Sequence, residues 1–333
     1  MARQELLTVQ YLRAIASLFI LSYHLTLRYG GTIAVGAFRT DLFFVISGFI
    51  MWVITADRTI DPATFMLRRI IRLVPNYWLA TMATALLILT KPNFTFGHEL
   101  DPSRFVGSLF FFPTLSHDRI LPVVLQGWTL VYEMMFYILI SASLYITQRH
   151  RPLFIAAVIS ALVVAHAVLP EAHFLSVTNP NILLEFLVGV LLGVVWRNSK
   201  LGPGWALVCV VVGAIGFALS EYYRPELPPI VKFGIPSALM VAGAVFYEKV
   251  RRMPEIPFLR FLGDASYSIF VWHVFVSIIM EGLLLHLHLP IALQFVLEIS
   301  STVILSCLIY LSVERPITDH LRALLARRLM QPA

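Results

Sequence analysis

The stretch YLRAIASLFILSYH, residues 11–24, decides the class of this protein. It is apolar enough to lie in a membrane, yet it contains Arg13 and His24. At about 100° per residue, the eleven steps between them make three turns and about 20°. A helix therefore directs both side chains the same way, about 16 Å apart along its axis. Because ionisable groups inside a membrane are costly and usually functional, the pair predicts a functional face that runs through the membrane.

The rest of the chain is equally apolar. Of its 333 residues, 59% are hydrophobic and 13% are charged, whereas soluble domains are about 25% charged. We expect an all-α polytopic membrane protein, a bundle of about ten transmembrane helices that forms a single domain over residues 1–333. Runs of suitable length place the spans at 6–27, 38–56, 75–91, 123–147, 152–169, 180–197, 204–220, 229–248, 265–285 and 290–312.

Basic residues are distributed unevenly between the two sides of this predicted bundle. The segments after the even-numbered spans hold sixteen Lys and Arg residues, and the opposite side holds seven. Cytoplasmic loops carry the excess of Lys and Arg, which predicts that both termini are cytoplasmic. The net charge of +6 then reflects membrane topology, and we expect membrane lipids rather than nucleic acid as partners.

Two acidic residues are predicted at about the same depth as His24. Asp41 opens the second span and Glu133 lies two turns into the fourth, and both spans enter from the outer side. A carboxylate beside an imidazole fixes its tautomer and raises its basicity, as a general base requires. The alternatives are that Asp41 caps a helix, that Glu133 makes a structural hydrogen bond, and that His24 is an interfacial histidine.

Three arginines, Arg68, Arg69 and Arg72, form a second cluster. A helix start at 61–62 and a stop at Pro75 predict a short amphipathic helix on the cytoplasmic surface. Arg68 and Arg72 share one face of this helix. Because a guanidinium can donate two bonds to one phosphate, the cluster is a candidate grip on a phosphorylated donor such as an acyl-coenzyme A. The alternative is an anchor for anionic lipid headgroups.

Three weaker features lie in the last two spans. Ser266 and Tyr267 start the ninth span, and His273 lies in its middle, as either a packed histidine or a site residue. Glu314 and Arg315 close the tenth span, where we expect a helix-end ion pair. The sequence contains no HExxH motif and no Cys/His ligand spacing, so we expect no metal.

Six stretches, taken together and in this order, resemble the membrane acyltransferase-3 family, bacterial enzymes that O-acylate cell-surface carbohydrates. They are Arg13-x10-His24, Asp41–Phe49, Arg68-Arg69-x2-Arg72-x2-Pro75-x-Tyr77-Trp78, Trp128-Thr129-Leu130-x2-Glu133, Ser266-Tyr267-Ser268-x3-Trp272-His273 and Glu314-Arg315-Pro316. The fourth is most similar to the form in exopolysaccharide O-acetyltransferases of the succinoglycan type. Asn76 departs from the family, many members of which have an apolar residue there, and the sequence offers no interpretation of it.

The resemblance implies that His24 is essential with Arg13 as its partner, that Arg68 and Arg72 contact an acyl-coenzyme A, and that Glu133 is the acidic residue of the fourth helix. The predicted catalytic residues are His24, Asp41 and Glu133. The residues predicted to bind acetyl-CoA are Arg13, Arg68, Arg69, Arg72 and Tyr77. The candidate pocket residues are Trp128, Ser266, Tyr267 and His273.

The predicted function is O-acyl transfer in the bacterial inner membrane, from cytoplasmic acetyl-CoA to a saccharide hydroxyl at the outer face. Some family members carry an esterase-like domain, which we expect this chain to lack, so that transfer finishes in the membrane domain. The acceptor is left open between a polysaccharide, a lipid-linked repeat unit and lipopolysaccharide. Three alternatives remain at this point: transfer of succinyl or another acyl group, transport of a saccharide or lipid-linked glycan, and a receptor or lipid-binding protein without catalysis.

Overall fold

The computed structural model describes residues 6–30, 39–56, 60–90, 100–112, 115–116, 119–169, 179–223 and 227–330. Within these ranges the chain is almost entirely helical. The helices are α1 Leu7–Arg28, α2 Arg39–Thr55, α3 Pro62–Thr90, α4 Pro102–Leu109, α5 Trp128–Ser143, α6 Arg151–Val168, α7 Leu183–Asn198, α8 Pro203–Tyr223, α9 Ile235–Val250, α10 Pro257–Leu284, α11 Ile291–Ile309 and α12 Arg315–Met330. Two short strands, β1 Leu115–Ser116 and β2 Arg119–Ile120, pair antiparallel.

Seven helical segments in the described ranges are long and apolar enough to cross a membrane. They are Pro62–Thr90, Arg151–Val168, Pro180–Asn198, Pro203–Ser220, Ile230–Val250, Pro257–Leu284 and Ile291–Met330. These segments confirm the prediction of an all-helical, multi-pass membrane protein. Helices suit a membrane because they satisfy their own backbone hydrogen bonds in lipid.

Predicted spans one, two and four coincide with α1, α2 and α5, which are outside the set of seven. The total of ten spans and the cytoplasmic termini therefore stay predictions. Of the basic residues that predict the orientation, Arg3, Arg58, Lys91 and Arg224 lie outside the described residues.

The chain folds into two compact units, and each is made from two separate stretches of sequence. The first unit contains residues 1–60 and 142–266, and the second contains residues 61–141 and 267–333. Residues 1–333 as a single domain stay a prediction.

Glycines allow α2 and α7 of the first unit to cross at close range. A Cβ atom on Gly48 would lie 2.0 Å from the carbonyl oxygen of Phe186, and one on Gly189 would lie 2.2 Å from that of Val45. Small residues at a crossing let two membrane helices pack backbone to backbone. This crossing fixes the start of α7 beside α2.

In the second unit, α3 continues through Pro75, where the sequence predicted a helix end. The predicted short surface helix and the predicted span at 75–91 are therefore wrong in their boundaries, because they form one helix. Proline removes one backbone hydrogen bond from a helix, but neighbouring helices in a membrane protein can stabilise the freed backbone. Near this point, two residues before the proline, the Tyr267 hydroxyl donates to the Leu73 carbonyl at 2.7 Å. As a result, the arginines lie on a membrane-length helix.

The expected ion pair between Glu314 and Arg315 is also wrong. A π-helical turn, Tyr310–Glu314, joins α11 directly to α12, so the tenth predicted span does not end there. The Arg315 Nε atom lies 3.8 Å from Asp319 Oδ2, on the exposed side of α12. The Glu314 side chain is buried and hydrogen-bonds other partners.

Candidate functional site

Arg13 is held inside the first unit by two hydrogen bonds. It is 8% exposed, and its Nη2 atom donates to Ser266 Oγ at 2.9 Å. Its Nη1 atom donates to Gln10 Oε1 at 3.3 Å. Helices α1 and α10 approach closely at Gly263, where a Cβ atom would lie 2.4 Å from the Gln10 carbonyl oxygen. The structure thus brings together Arg13, predicted to bind the donor, and Ser266, predicted to line a pocket.

His24 and Asp41 both lie in the first unit, near one end of α1 and α2 respectively. His24 is half-buried, and its ring centroid lies 5.5 Å from that of Tyr23 in an edge-to-face arrangement. Asp41 is buried in the first turn of α2. The roles of His24 as base and of Asp41 as its partner stay predictions.

Glu185, which interacts with Asp41, was not predicted as a site residue from the sequence. Glu185 is 3% exposed and lies in the first turn of α7. The available signal was an acidic residue within the apolar run 183–195, which is costly in a membrane. The structure therefore places a second carboxyl group beside the predicted Asp41 position.

The second unit contains a cluster of an arginine, a tyrosine and a glutamate. The guanidinium carbon of Arg69 lies 5.6 Å from the ring centroid of Phe65 and 5.9 Å from that of Tyr137. The Tyr137 hydroxyl hydrogen-bonds Arg69 and donates to Glu133 Oε1. Among the residues that the structure describes, the buried Nε atom of Arg69 has no hydrogen-bond partner. Ring stacking and one hydroxyl thus orient a guanidinium that retains an unused donor.

Arg68 and Arg72 extend this cluster of positive charge along α3. Arg68 is exposed and Arg72 is half-buried. Arg69 interacts electrostatically with both Arg72 and Glu133. We call Arg68, Arg69, Arg72, Glu133 and Tyr137 the arginine cluster. Its guanidinium groups offer several donors to a phosphorylated ligand, while Glu133 offsets part of their mutual repulsion.

Glu133 lies level with the arginines of α3. Ser141 Oγ donates to the Pro62 carbonyl at 3.1 Å, so the end of α5 lies beside the start of α3. From Ser141, eight residues back along α5 to Glu133 cover about 12 Å. A similar distance along α3, measured from Pro62, reaches the arginines. The structure therefore assigns Glu133 to the arginine cluster, and a contact with His24 stays a prediction.

Tyr77 and Trp128 pack against other aromatic rings and a glycine. Tyr77 is 1% exposed, and its ring centroid lies 4.9 Å from that of Phe111. A Cβ atom on Gly127 would lie 2.6 Å from the Tyr77 hydroxyl oxygen. Trp128 is half-buried and packs edge-to-face on Tyr132 at 6.0 Å. Tyr77 thus occupies a tightly packed place, and its predicted contact with the donor stays a prediction.

The remaining predicted pocket residues, Tyr267 and His273, lie on α10. The Tyr267 hydroxyl supports the backbone of α3 near Pro75. His273 is buried, and its Nδ1 atom lies 2.7 Å from the Phe270 carbonyl oxygen of its own helix. Burial and a local hydrogen bond agree with the packed-histidine alternative, and a role of His273 in the pocket stays a prediction.

Asn76 joins the two last spans to α3, which explains its polar character. It is 2% exposed, and its Nδ2 atom donates to Glu314 Oε2 at 3.1 Å and to Ser268 Oγ at 3.2 Å. Its Oδ1 atom accepts from Trp272 Nε1 at 2.9 Å. Ser268 Oγ also donates to Glu314 Oε2 at 2.5 Å. We call Asn76, Ser268, Trp272 and Glu314 the Asn76 network.

Comparison with known proteins places this chain in an enzyme family. The acyltransferase domain model of the acyltransferase-3 family matches residues 6–311. Exopolysaccharide production protein ExoZ of Rhizobium meliloti (strain 1021) is 36% identical over 312 residues, which are 90% of this chain and 95% of that protein. No solved structure matches the chain.

Two peptidoglycan enzymes are more distant relatives. Putative peptidoglycan O-acetyltransferase YrhL of Bacillus subtilis (strain 168) is 28% identical over 92% of this chain and 54% of its own length. Peptidoglycan O-acetyltransferase OatA of Listeria monocytogenes is 23% identical over 96% of this chain and 57% of its own length. The chain thus spans nearly all of ExoZ but little more than half of these two. It is an O-acyltransferase, a multi-pass membrane enzyme that belongs to the acyltransferase-3 family.

Proposed function

We propose that this enzyme moves an acetyl group from cytoplasmic acetyl-CoA to a saccharide hydroxyl at the outer face of the bacterial inner membrane. The arginine cluster is the observation that carries the proposal. It presents three guanidinium groups on one membrane-length helix of an O-acyltransferase. A relative is named for exopolysaccharide production and others for O-acetylation of peptidoglycan, which supports a polysaccharide or its lipid-linked repeat unit as acceptor.

The donor fits the chemistry of the arginine cluster. Coenzyme A carries its phosphates at one end and the acyl thioester at the other. Exposed Arg68 and half-buried Arg72 can each bind phosphate oxygens with two parallel hydrogen bonds. Arg69 adds its unused buried Nε donor. Phosphates held at this cluster leave the thin acyl-bearing arm free to extend along the bundle.

His24 acts as the general base in this proposal. Its imidazole takes the proton from the acceptor hydroxyl, and the resulting oxygen nucleophile attacks the thioester carbonyl carbon. A carbon–oxygen bond forms, the carbon–sulfur bond breaks, and the coenzyme A thiolate leaves and takes up the proton held by His24. Asp41 orients the imidazole, and Arg13 positions the donor arm or balances the developing negative charge. The acyl group passes directly, without an acyl-enzyme.

The first test is the O-acetyl content of the host's surface polysaccharide, measured by proton NMR at matched protein levels. The variants are His24→Ala and the double variant Arg68→Ala/Arg72→Ala. The matched control is Arg327→Ala/Arg328→Ala, which removes two exposed arginines from the last turn of α12.

We expect both site variants to lose the acetyl signal while polymer export continues, and the control to retain it. Retained acetylation with lost export would instead support a transporter and overturn the proposed function. A succinyl signal in place of acetyl would keep the enzyme class but replace the donor.

A further inference from the structure

The backbone of α3 is weakened by Pro75, between the arginine cluster and Asn76. Proline has no N–H group, so the carbonyl of Ile71 receives no helical hydrogen bond from position 75. A helix with such a gap bends more easily. Arg72 lies one residue beyond Ile71, so any change of bend at this point moves its guanidinium group. Something other than the helix itself must therefore hold this turn.

Three side chains of α10 and one of the π-helical turn provide that support. Tyr267 binds the Leu73 carbonyl, two residues before the proline. Ser268, Trp272 and Glu314 bind Asn76, one residue after it. The supports therefore bracket the weak point on both sides. In a membrane, where water does not compete, such hydrogen bonds hold two helices in one relative position.

Asn76 is the residue through which most of these supports act. Its amide uses Oδ1 for Trp272 and both Nδ2 hydrogens for Ser268 and Glu314. The oxygen and both N–H groups of this buried amide thus have hydrogen-bond partners on other segments. Asn76 also follows Arg72 by four residues, so the two side chains lie on the same face of α3, one turn apart.

We infer that Asn76 is a positioning residue of the donor site. By binding Glu314, Ser268 and Trp272, it fixes the turn of α3 that carries Arg72 and, one turn further, Arg69. It thereby sets how well these guanidinium groups fit the donor phosphates. The inference rests on the proposed function, because it assigns the arginine cluster to the acetyl-CoA donor.

The test measures acetyl-CoA binding and steady-state kinetics with purified protein in lipid nanodiscs. Asn76→Leu keeps the approximate volume and removes all three hydrogen bonds. We expect its Kd and KM for acetyl-CoA to rise about tenfold, which corresponds to about 1.4 kcal/mol. The KM for the saccharide acceptor and the kcat at saturating donor should stay within about twofold of wild type.

Thr81→Val is the matched control on the same helix. Thr81 is fully buried, and its hydroxyl donates to the Tyr77 carbonyl at 2.8 Å. The substitution removes a buried hydrogen bond from α3 but leaves the Asn76 network intact. We expect donor affinity to stay within twofold of wild type.

Exchanging the amide of Asn76 and the carboxylate of Glu314 distinguishes a positioning role of Asn76 from a role in folding alone. Asn76→Asp places a second carboxylate against Glu314, which should weaken donor binding and lower thermal stability. Adding Glu314→Gln restores one amide and one carboxylate with their places exchanged, so donor affinity should recover toward wild type. If Asn76→Leu fails to fold, these two variants still test whether Asn76 positions the donor site.

Two results would overturn the inference. One is an Asn76→Leu variant that binds acetyl-CoA as tightly as Thr81→Val does. The other is a double variant, Asn76→Asp/Glu314→Gln, that binds no better than Asn76→Asp alone. By contrast, unchanged donor affinity in Arg72→Ala would refute the donor site itself and so identify a failure of the proposed function.

Discussion

Removing the hydroxyl of Tyr137 tests the arginine cluster selectively, because this group contacts both Arg69 and Glu133. Tyr137→Phe removes only this oxygen and leaves the ring that stacks on the guanidinium at 5.9 Å. The stacking itself should persist, since the aromatic face remains. The lost interactions are two hydrogen bonds to charged groups.

A hydrogen bond to a charged group contributes about 1.5–3 kcal/mol. If one such bond is needed to orient Arg69 toward a phosphate, its loss lowers donor affinity by between about tenfold and about a hundredfold. We expect the lower end, because the two rings still restrain the guanidinium. Acceptor KM should not change.

Isothermal titration of acetyl-CoA into protein in nanodiscs measures this loss. Tyr145→Phe is the matched control, since Tyr145 is 82% exposed and lies just after α5. A Tyr137→Phe variant whose Kd for acetyl-CoA stays within twofold of wild type would refute the role of this hydroxyl, provided that its melting temperature is also unchanged.

Three further substitutions test other parts of the structure. Arg13→Lys keeps the charge but cannot reproduce both hydrogen bonds, and acetyl transfer should fall about tenfold; normal transfer would remove Arg13 from the mechanism. Gly48→Leu should lower the melting temperature, because a Cβ atom would lie 2.0 Å from a carbonyl oxygen, whereas Gly204→Leu should not, since a Cβ atom there has no neighbour within 4 Å. Arg104→Met should also lower the melting temperature, because Arg104 binds the carbonyls of residues 121 and 122 at 2.8 and 2.9 Å, but acetyl-CoA affinity should be unaffected.

The apolar runs predicted most helices because membrane helices must satisfy their own backbone. Pro75 and Glu314 are the places where this reasoning failed. A proline and a Glu-Arg-Pro sequence both signal a helix end locally, but support from other helices overrides the signal. Tyr267 lies 194 residues from Leu73 along the chain. No local pattern can reveal such a partner.

The sequence likewise predicted some features of the candidate site and not others. Helical periodicity placed Arg68 and Arg72 on one face, and the cost of burying charge singled out Arg13. The same periodicity could not show that Glu133 lies beside the arginines, since that depends on how α5 packs on α3. Asn76 had a polar side chain in an apolar run as its only signal, and its three partners are visible only in the folded unit.

The central claim is that donor binding and proton abstraction are carried out by different residues of one enzyme. Equilibrium binding and transfer of radiolabelled acetyl-CoA, measured on the same nanodisc samples, test it most directly. We predict that His24→Ala binds the donor with wild-type affinity and transfers no label to saccharide, while Arg68→Ala/Arg72→Ala binds at least tenfold more weakly. Lost donor binding in His24→Ala, with unchanged binding in the arginine variant, would contradict the account.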